Sequence, residues 1–231
     1  MNNLQKMGGV AALINAAAYM IGFGMAFTLL APILDAEPEQ YLAFLVANQT
    51  LLYVWHLIIY IVAGVFMVPL VLAIHERLKG RAPAVAQTAT AIGLIWAGLV
   101  IASGMLFLKD ILVIAKLYGQ DPAQAATVWV ALSAVEDALG GGIELPGGLW
   151  ALLVSWTALR TGALPKALNY LGLLIGAAGV LMLVPAFAET GAAIFGLGFI
   201  LWFVWAGIVM VRSRPSEATA RFGHHAAVVH S

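Results

Sequence analysis

Long apolar runs alternate with short polar breaks along the whole chain. Six runs, 7–34, 50–75, 84–108, 139–159, 164–184 and 191–211, are long enough to cross a hydrocarbon core, which takes about 20 apolar residues per helix. The breaks read DAEPEQ (35–40), ERLKGRAP (76–83), YGQDPAQ (118–124), RTGALP (160–165) and PAFAETG (185–191). Gly, Pro and charged residues gather there, as they do at helix ends. The pattern predicts an all-α fold: a polytopic membrane helix bundle of six transmembrane helices in one domain, residues 1–211. Residues 212–231 are expected to be a disordered cytoplasmic tail, and the histidines scattered in it are not expected to bind a metal.

Three helices are predicted to outrun the bilayer on the outer side. Residues 41–46 would continue helix 2 outwards and 109–118 would continue helix 3. Helix 4 would begin at Asp121-Pro122, with Gln124 in the capping-box position. From there to Leu159 is roughly 57 Å of helix at about 1.5 Å per residue. Gly140-Gly141-Gly142 and Pro146 offer a break inside it. The alternative is that these glycines only admit a neighbouring helix closely, and that packing reading is preferred here.

Composition makes lipid obligatory. Of 231 residues, 63% are hydrophobic and only 10% charged, against about a quarter charged in soluble domains. The net charge of zero gives no basis for nucleic-acid binding, and the absence of cysteine removes thiol chemistry and disulfides. The first run is too long for a signal peptide and is read as a retained membrane helix. With the N-terminus in the cytoplasm, Lys6, Arg77, Lys79, Arg81, Arg160, Lys166, Arg212, Arg214 and Arg221 fall inside and only Lys109 and Lys116 outside. That bias predicts cytoplasmic placement of both termini.

The segments GGLWALLVSWTALR (147–160) and LPKALNYLGLLIGAAGVL (164–181), with HERL (75–78) after the second run, resemble a family of bacterial multi-pass membrane proteins grouped as a domain of unknown function. The resemblance covers most of the chain, from Met7 to about Arg212. It implies a bacterial cytoplasmic (inner) membrane protein of about six helices and implies no activity.

Ionisable groups inside apolar runs are costly and mark candidate sites. The stretch 133–155 carries Asp137 and Glu144 on one helical stripe with its glycines. Helix 2 sets Gln49, Tyr53, His56 and Tyr60 on one face, and helix 3 leaves the membrane near Ser103 and Asp110. His56, Glu144, Tyr53, Gln49, Asp110 and Asp137 are the ligand-binding candidates, expected to converge in the outer third of the bundle. Glu144 is expected to meet His56 or Tyr53 across the helix 2–helix 4 contact. Each has a plainer reading. Tyr53 is an interfacial aromatic, Asp110 a helix end at the headgroups, and Glu136 and Asp137 water-facing residues on the projecting cap. His56 is then a core histidine bonded to a carbonyl. Only Glu144 resists such treatment.

No catalytic residue, metal site or cofactor is assigned. A lone deep histidine does not make a haem site, and HExxH, Walker and dinucleotide motifs are missing. The leading function is binding or transport of a small solute or lipid-soluble ligand. The alternatives are an accessory subunit and an intramembrane enzyme using His56 as base and Glu144 as acid. Gly172, Gly176 and Gly179 with Asn169 form a close-packing face. Gly191, Phe195, Gly198, Trp202 and Trp205 form a second face that packs on it or lines a cavity. Such Gly-rich faces are also where a second copy or a membrane partner would dock.

Overall fold

The computed structural model describes residues 3–34, 36–141 and 144–212; the expected tail beyond Arg212 lies outside them. The described residues form helices and turns with no strand. The helices are α1 (Asn3–Thr28), α2 (Pro38–Ala47), α3 (Gln49–His56), α4 (Ala63–Leu78), α5 (Pro83–Tyr118), α6 (Pro122–Glu136), α7 (Leu145–Thr161), α8 (Lys166–Leu181) and α9 (Ala188–Arg212). A π-helical turn, Leu57–Val62, joins α3 to α4, making one rod, Gln49–Leu78.

Local chemistry sets the helix ends. Proline opens α2, α5 and α6, where a missing N–H costs nothing. The Asp121 carboxylate caps α6, accepting from the Ala123 and Gln124 N–H groups at 3.0 Å each. Gly162, in the left-handed region with φ 67°, terminates α7, and Pro165 precedes α8.

Five helical stretches are long and apolar enough to cross a membrane: Asn3–Thr28, Gln49–Leu78, Pro83–Tyr118, Pro122–Thr161 and Pro185–Arg212. The remaining predicted span, the run at 164–184, is α8, an apolar helix of 16 residues, about 24 Å long. Glycine contacts give the arrangement. Gly148 of α7 lies against Gly176 and Gly179 of α8, and Ser155 against Gly172, so the two run antiparallel. The same logic relates α8 to α9 (Ile175 on Gly198, Met182 on Gly191) and α9 to α1 (Gly207 on Leu13, Phe23 on Gly196). It also relates α1 to α4 and its preceding turn (Gly8 on Ala73, Gly22 on Ile59). Then α4 packs on α5 and α5 on α7. The six rods therefore close into a ring in chain order, sealed where α9 returns to α1.

The expected cap is present with changed parts. α2 is not a continuation of the second membrane helix: the chain turns at Asn48 (φ −128°, ψ 33°). α2, the last turns of α5 and α6 enclose a second core built on Leu30, Leu42, Leu45, Leu52, Ile111, Ile114 and Ala125. Tyr41 stacks on Trp129 there, 4.6 Å between ring centroids. Burial, with the nearby Glu136 carboxyl adding to it, pushes the Tyr41 phenol up to about 12. The fourth predicted helix is also interrupted, against the preferred packing reading. α6 passes through a π-turn, Asp137–Gly141, in which Gly140 is non-helical, and α7 starts only at Leu145. Gly140 packs as well, with Val100 of α5 at ordinary contact distance.

The opposite end of the bundle, which holds the N-terminus, is tied by basic side chains. Arg77 donates to Gln5 and to the Ala163 carbonyl, and Arg81 donates to the Thr161 carbonyl, satisfying acceptors left over at the end of α7. His75 bonds through Nδ1 to the Thr90 hydroxyl at 2.9 Å, linking α4 to α5.

Candidate functional site

The interruption between α6 and α7 places Glu144. Its backbone (φ −95°, ψ 36°) is outside the helix, and its carbonyl accepts the first helical bond of α7 from the Gly148 N–H at 2.8 Å. The side chain points to α5, where the Trp96 indole N–H donates to Oε2 at 3.0 Å. Trp96 lies 13 residues beyond Pro83 in the sequence, so Glu144 sits about 20 Å along α5 from that end. The approach depends on Gly147. A Cβ there would lie 2.6 Å from the Trp96 ring and 2.8 Å from Phe195.

Glu144 borders a cavity of about 270 Å³ inside the ring. α1 contributes Tyr19, Gly22, Phe23 and Ala26, and the α3–α4 rod contributes Trp55, Ile59 and Tyr60. α5 contributes Trp96 and Val100, and α9 contributes Ala192, Phe195, Gly196, Phe199 and Phe203. Gly140 and Met182 complete the lining, which among the described residues holds no Lys, Arg or His. One lining residue, Ala192 of α9, is itself exposed. The aromatic wall is continuous. Trp96 packs on Phe199 at 5.2 Å and edge-on to Phe195 at 6.0 Å, Phe199 stacks on Phe203 at 5.0 Å, and Phe203 stacks on Tyr19 at 6.1 Å. Trp55 is held by its indole N–H, which donates to the Gly22 carbonyl at 2.9 Å. Tyr19 and Tyr60 line the same cavity as Glu144.

Of the six predicted site residues, only Glu144 reaches this cavity. His56 is buried beside it but turned away. Its Nδ1–H donates to the Leu52 carbonyl at 2.8 Å, and its ring stacks on Phe107 at 4.4 Å. This is the plainer reading given above, and no hydrogen bond joins His56 to Glu144. Tyr53 is 39% exposed and faces outward. Gln49 bonds the Val46 carbonyl at the turn into α3, at 3.3 Å. Asp137 is exposed.

Asp110 forms a different pair. It contacts the carboxyl of Glu136, which is 2% exposed and so not water-facing as the plainer reading had it. The Ser103 hydroxyl donates to the Glu136 carbonyl at 3.0 Å, locking α5 to the end of α6. One oxygen of each acid, Oδ2 of Asp110 and Oε1 of Glu136, is buried without a donor.

The sequence reading missed Trp96, Phe199 and Phe203 altogether. Aromatics in an apolar run carry no signal that separates a cavity wall from packing. Phe195 did lie on a predicted face that could line a cavity.

The family model described as a domain of unknown function, DUF4386, matches residues 7–213. No curated protein and no solved structure matches the chain.

Proposed function

Since the chain belongs to the DUF4386 family, whose function is unknown, we propose that it is a membrane protein that binds a small lipid-soluble molecule, for storage or passage, inside its helix ring. One observation carries this reading: Glu144, the one carboxyl group among the described lining residues, is set among apolar and aromatic side chains in a cavity of about 270 Å³. Apolar cavities with a few placed polar groups are the usual form of small-molecule sites. The aromatic surface supplies affinity for an apolar body, and Glu144 supplies orientation. The exposed lining residue Ala192 of α9 suits entry of a ligand that arrives from lipid. We place the protein in the bacterial cytoplasmic membrane with the N-terminal end of the bundle inside, on the strength of its basic residues. The cavity then lies in the outer half.

The enzyme alternative has less support, because its base and acid are not in contact and His56 lies outside the cavity lining.

The test is native mass spectrometry of protein purified from bacterial membranes. Wild type is expected to retain one non-lipid small molecule per chain. Glu144→Gln, with unchanged helicity, should retain at least about tenfold less, as loss of a charge-assisted hydrogen bond implies. An empty wild-type cavity, or equal retention by the variant, would reject the reading.

A further inference from the structure

The geometry points to a narrower ligand class: we infer that the cavity takes an amphiphilic organic cation, its ammonium group held between Glu144 and the aromatic wall and its apolar part along the remaining lining. This rests on the binding role proposed above and adds the charge of the ligand to it.

The charge balance of the cavity is the first argument. Among the described residues Glu144 receives one neutral donor, the Trp96 N–H on Oε2, and no hydrogen bond to its other oxygen. Among the described residues no Lys, Arg or His lines the cavity to balance a carboxylate. The start of α7 lies at Glu144, and the positive end of that helix dipole complements a negative charge there. A cationic ligand completes this arrangement, and an anionic one would meet the carboxylate unscreened.

The second argument is the wall. Aromatic ring faces carry negative potential and attract ammonium groups, more so when both partners are away from water. Trp96, Tyr60, Tyr19, Phe195 and Phe199 all line the cavity with Glu144. A compact inorganic cation is poorly served, because it needs about six oxygen ligands and the side chains here offer one carboxylate and two phenols. An organic ammonium carries its own apolar shell and does not need that coordination. The apolar lining beyond the aromatic group, from Val100 to Met182 and Ala192, accommodates a hydrocarbon portion.

Three probes of equal chain length separate the possibilities in protein reconstituted in nanodiscs. They are decyltrimethylammonium, its neutral isostere with carbon in place of nitrogen, and decyl sulfate. Occupancy is read by native mass spectrometry and by the shift in Tm. Wild type is expected to bind the cation at least about tenfold more tightly than the isostere, and the sulfate least. In Glu144→Gln that preference should fall to within about twofold. In Phe199→Leu, which keeps the carboxylate, cation affinity should fall by about threefold or more while isostere affinity changes little. This second variant decides the matter if Glu144→Gln fails to fold. Equal binding of cation and isostere by wild type overturns the cation inference and leaves the binding reading intact. So does an unchanged preference in both variants. If no probe binds while a small molecule is still retained on purification, the ligand class is wrong. If no probe binds and no molecule is retained, both readings fall.

Discussion

Gly148 and Gly24 are the same residue in two membrane helices, and the structure gives them opposite consequences. A Cβ on Gly148 would lie 2.8 Å from the Val180 nitrogen and 2.9 Å from the Gly176 oxygen. These are backbone atoms of α8 that cannot swing aside. Gly148→Ala is therefore expected to force α7 and α8 apart and to cost about 1–3 kcal/mol. A Cβ on Gly24 meets nothing within 4 Å, so Gly24→Ala removes a flexible residue from a helix and should gain up to about 1 kcal/mol. Reversible unfolding in mixed micelles checks both, and a stabilising Gly148→Ala would contradict the close approach. The sequence showed that both residues lie in apolar runs. It showed a packing face only where glycines recur at helical spacing, as in α8. Glu144 was legible for a different reason: a charge inside hydrocarbon-length sequence is conspicuous. Its partner was not, since an indole N–H in GLIWAG looks like any other core tryptophan.

At the scale of elements, the interruption between α6 and α7 is the feature that makes the site. Had the helix continued, Glu144 would sit on a helix flank instead of at a helix start facing Trp96. The π-turn at Asp137–Gly141 satisfies its backbone less well than an α-helix does. Amides of 137–141 are expected to exchange with solvent deuterium at least about tenfold faster than those of 150–158 in α7. Equal protection across the two segments would mean a continuous helix. The glycine run and Pro146 announced a weak point, but the same residues serve close packing, and Gly140 does both. Propensity alone could not decide between them because the outcome depends on how α5 packs alongside. The α2–α3 turn at Asn48 is similar: apolar periodicity runs through it, and the cap core of Leu42, Leu45 and Ile111 draws α2 off the helix axis.

For the whole molecule, the basic residues of the described chain, Lys109 and Lys116 apart, gather at the N-terminal end of the ring. Arg77 and Arg81 also tie α7 to α4 and its following loop. They therefore have a structural use beside the topogenic one, and orientation needs its own test. The chain has no cysteine, so single-cysteine variants are clean probes. Lys79→Cys and Glu37→Cys sit at opposite ends, both at exposed positions. In intact cells a membrane-impermeant maleimide is expected to label the Glu37 site and to reach the Lys79 site only after lysis. Labelling of the Lys79 site in intact cells would invert the protein and turn the cavity towards the cytoplasm.

The sequence by itself determined the membrane environment, the helical class and the positions where the chain reverses. Each follows from local composition: apolar length, helix-end residues and the high cost of unpaired backbone in lipid. It also marked Glu144, because one buried charge stands out against an apolar background. Only the tertiary structure decided what surrounds that charge. Ring closure through α1 and α9 brings Tyr19 and Phe203 together from near the two ends of the described chain, and the break before α7 turns Glu144 onto Trp96. Those contacts depend on side-chain volumes meeting across helices, a non-local quantity that hydropathy does not encode. The same packing tied His56 to its own helix and left Tyr53 facing outward, although helical spacing had set both on one face with Tyr60.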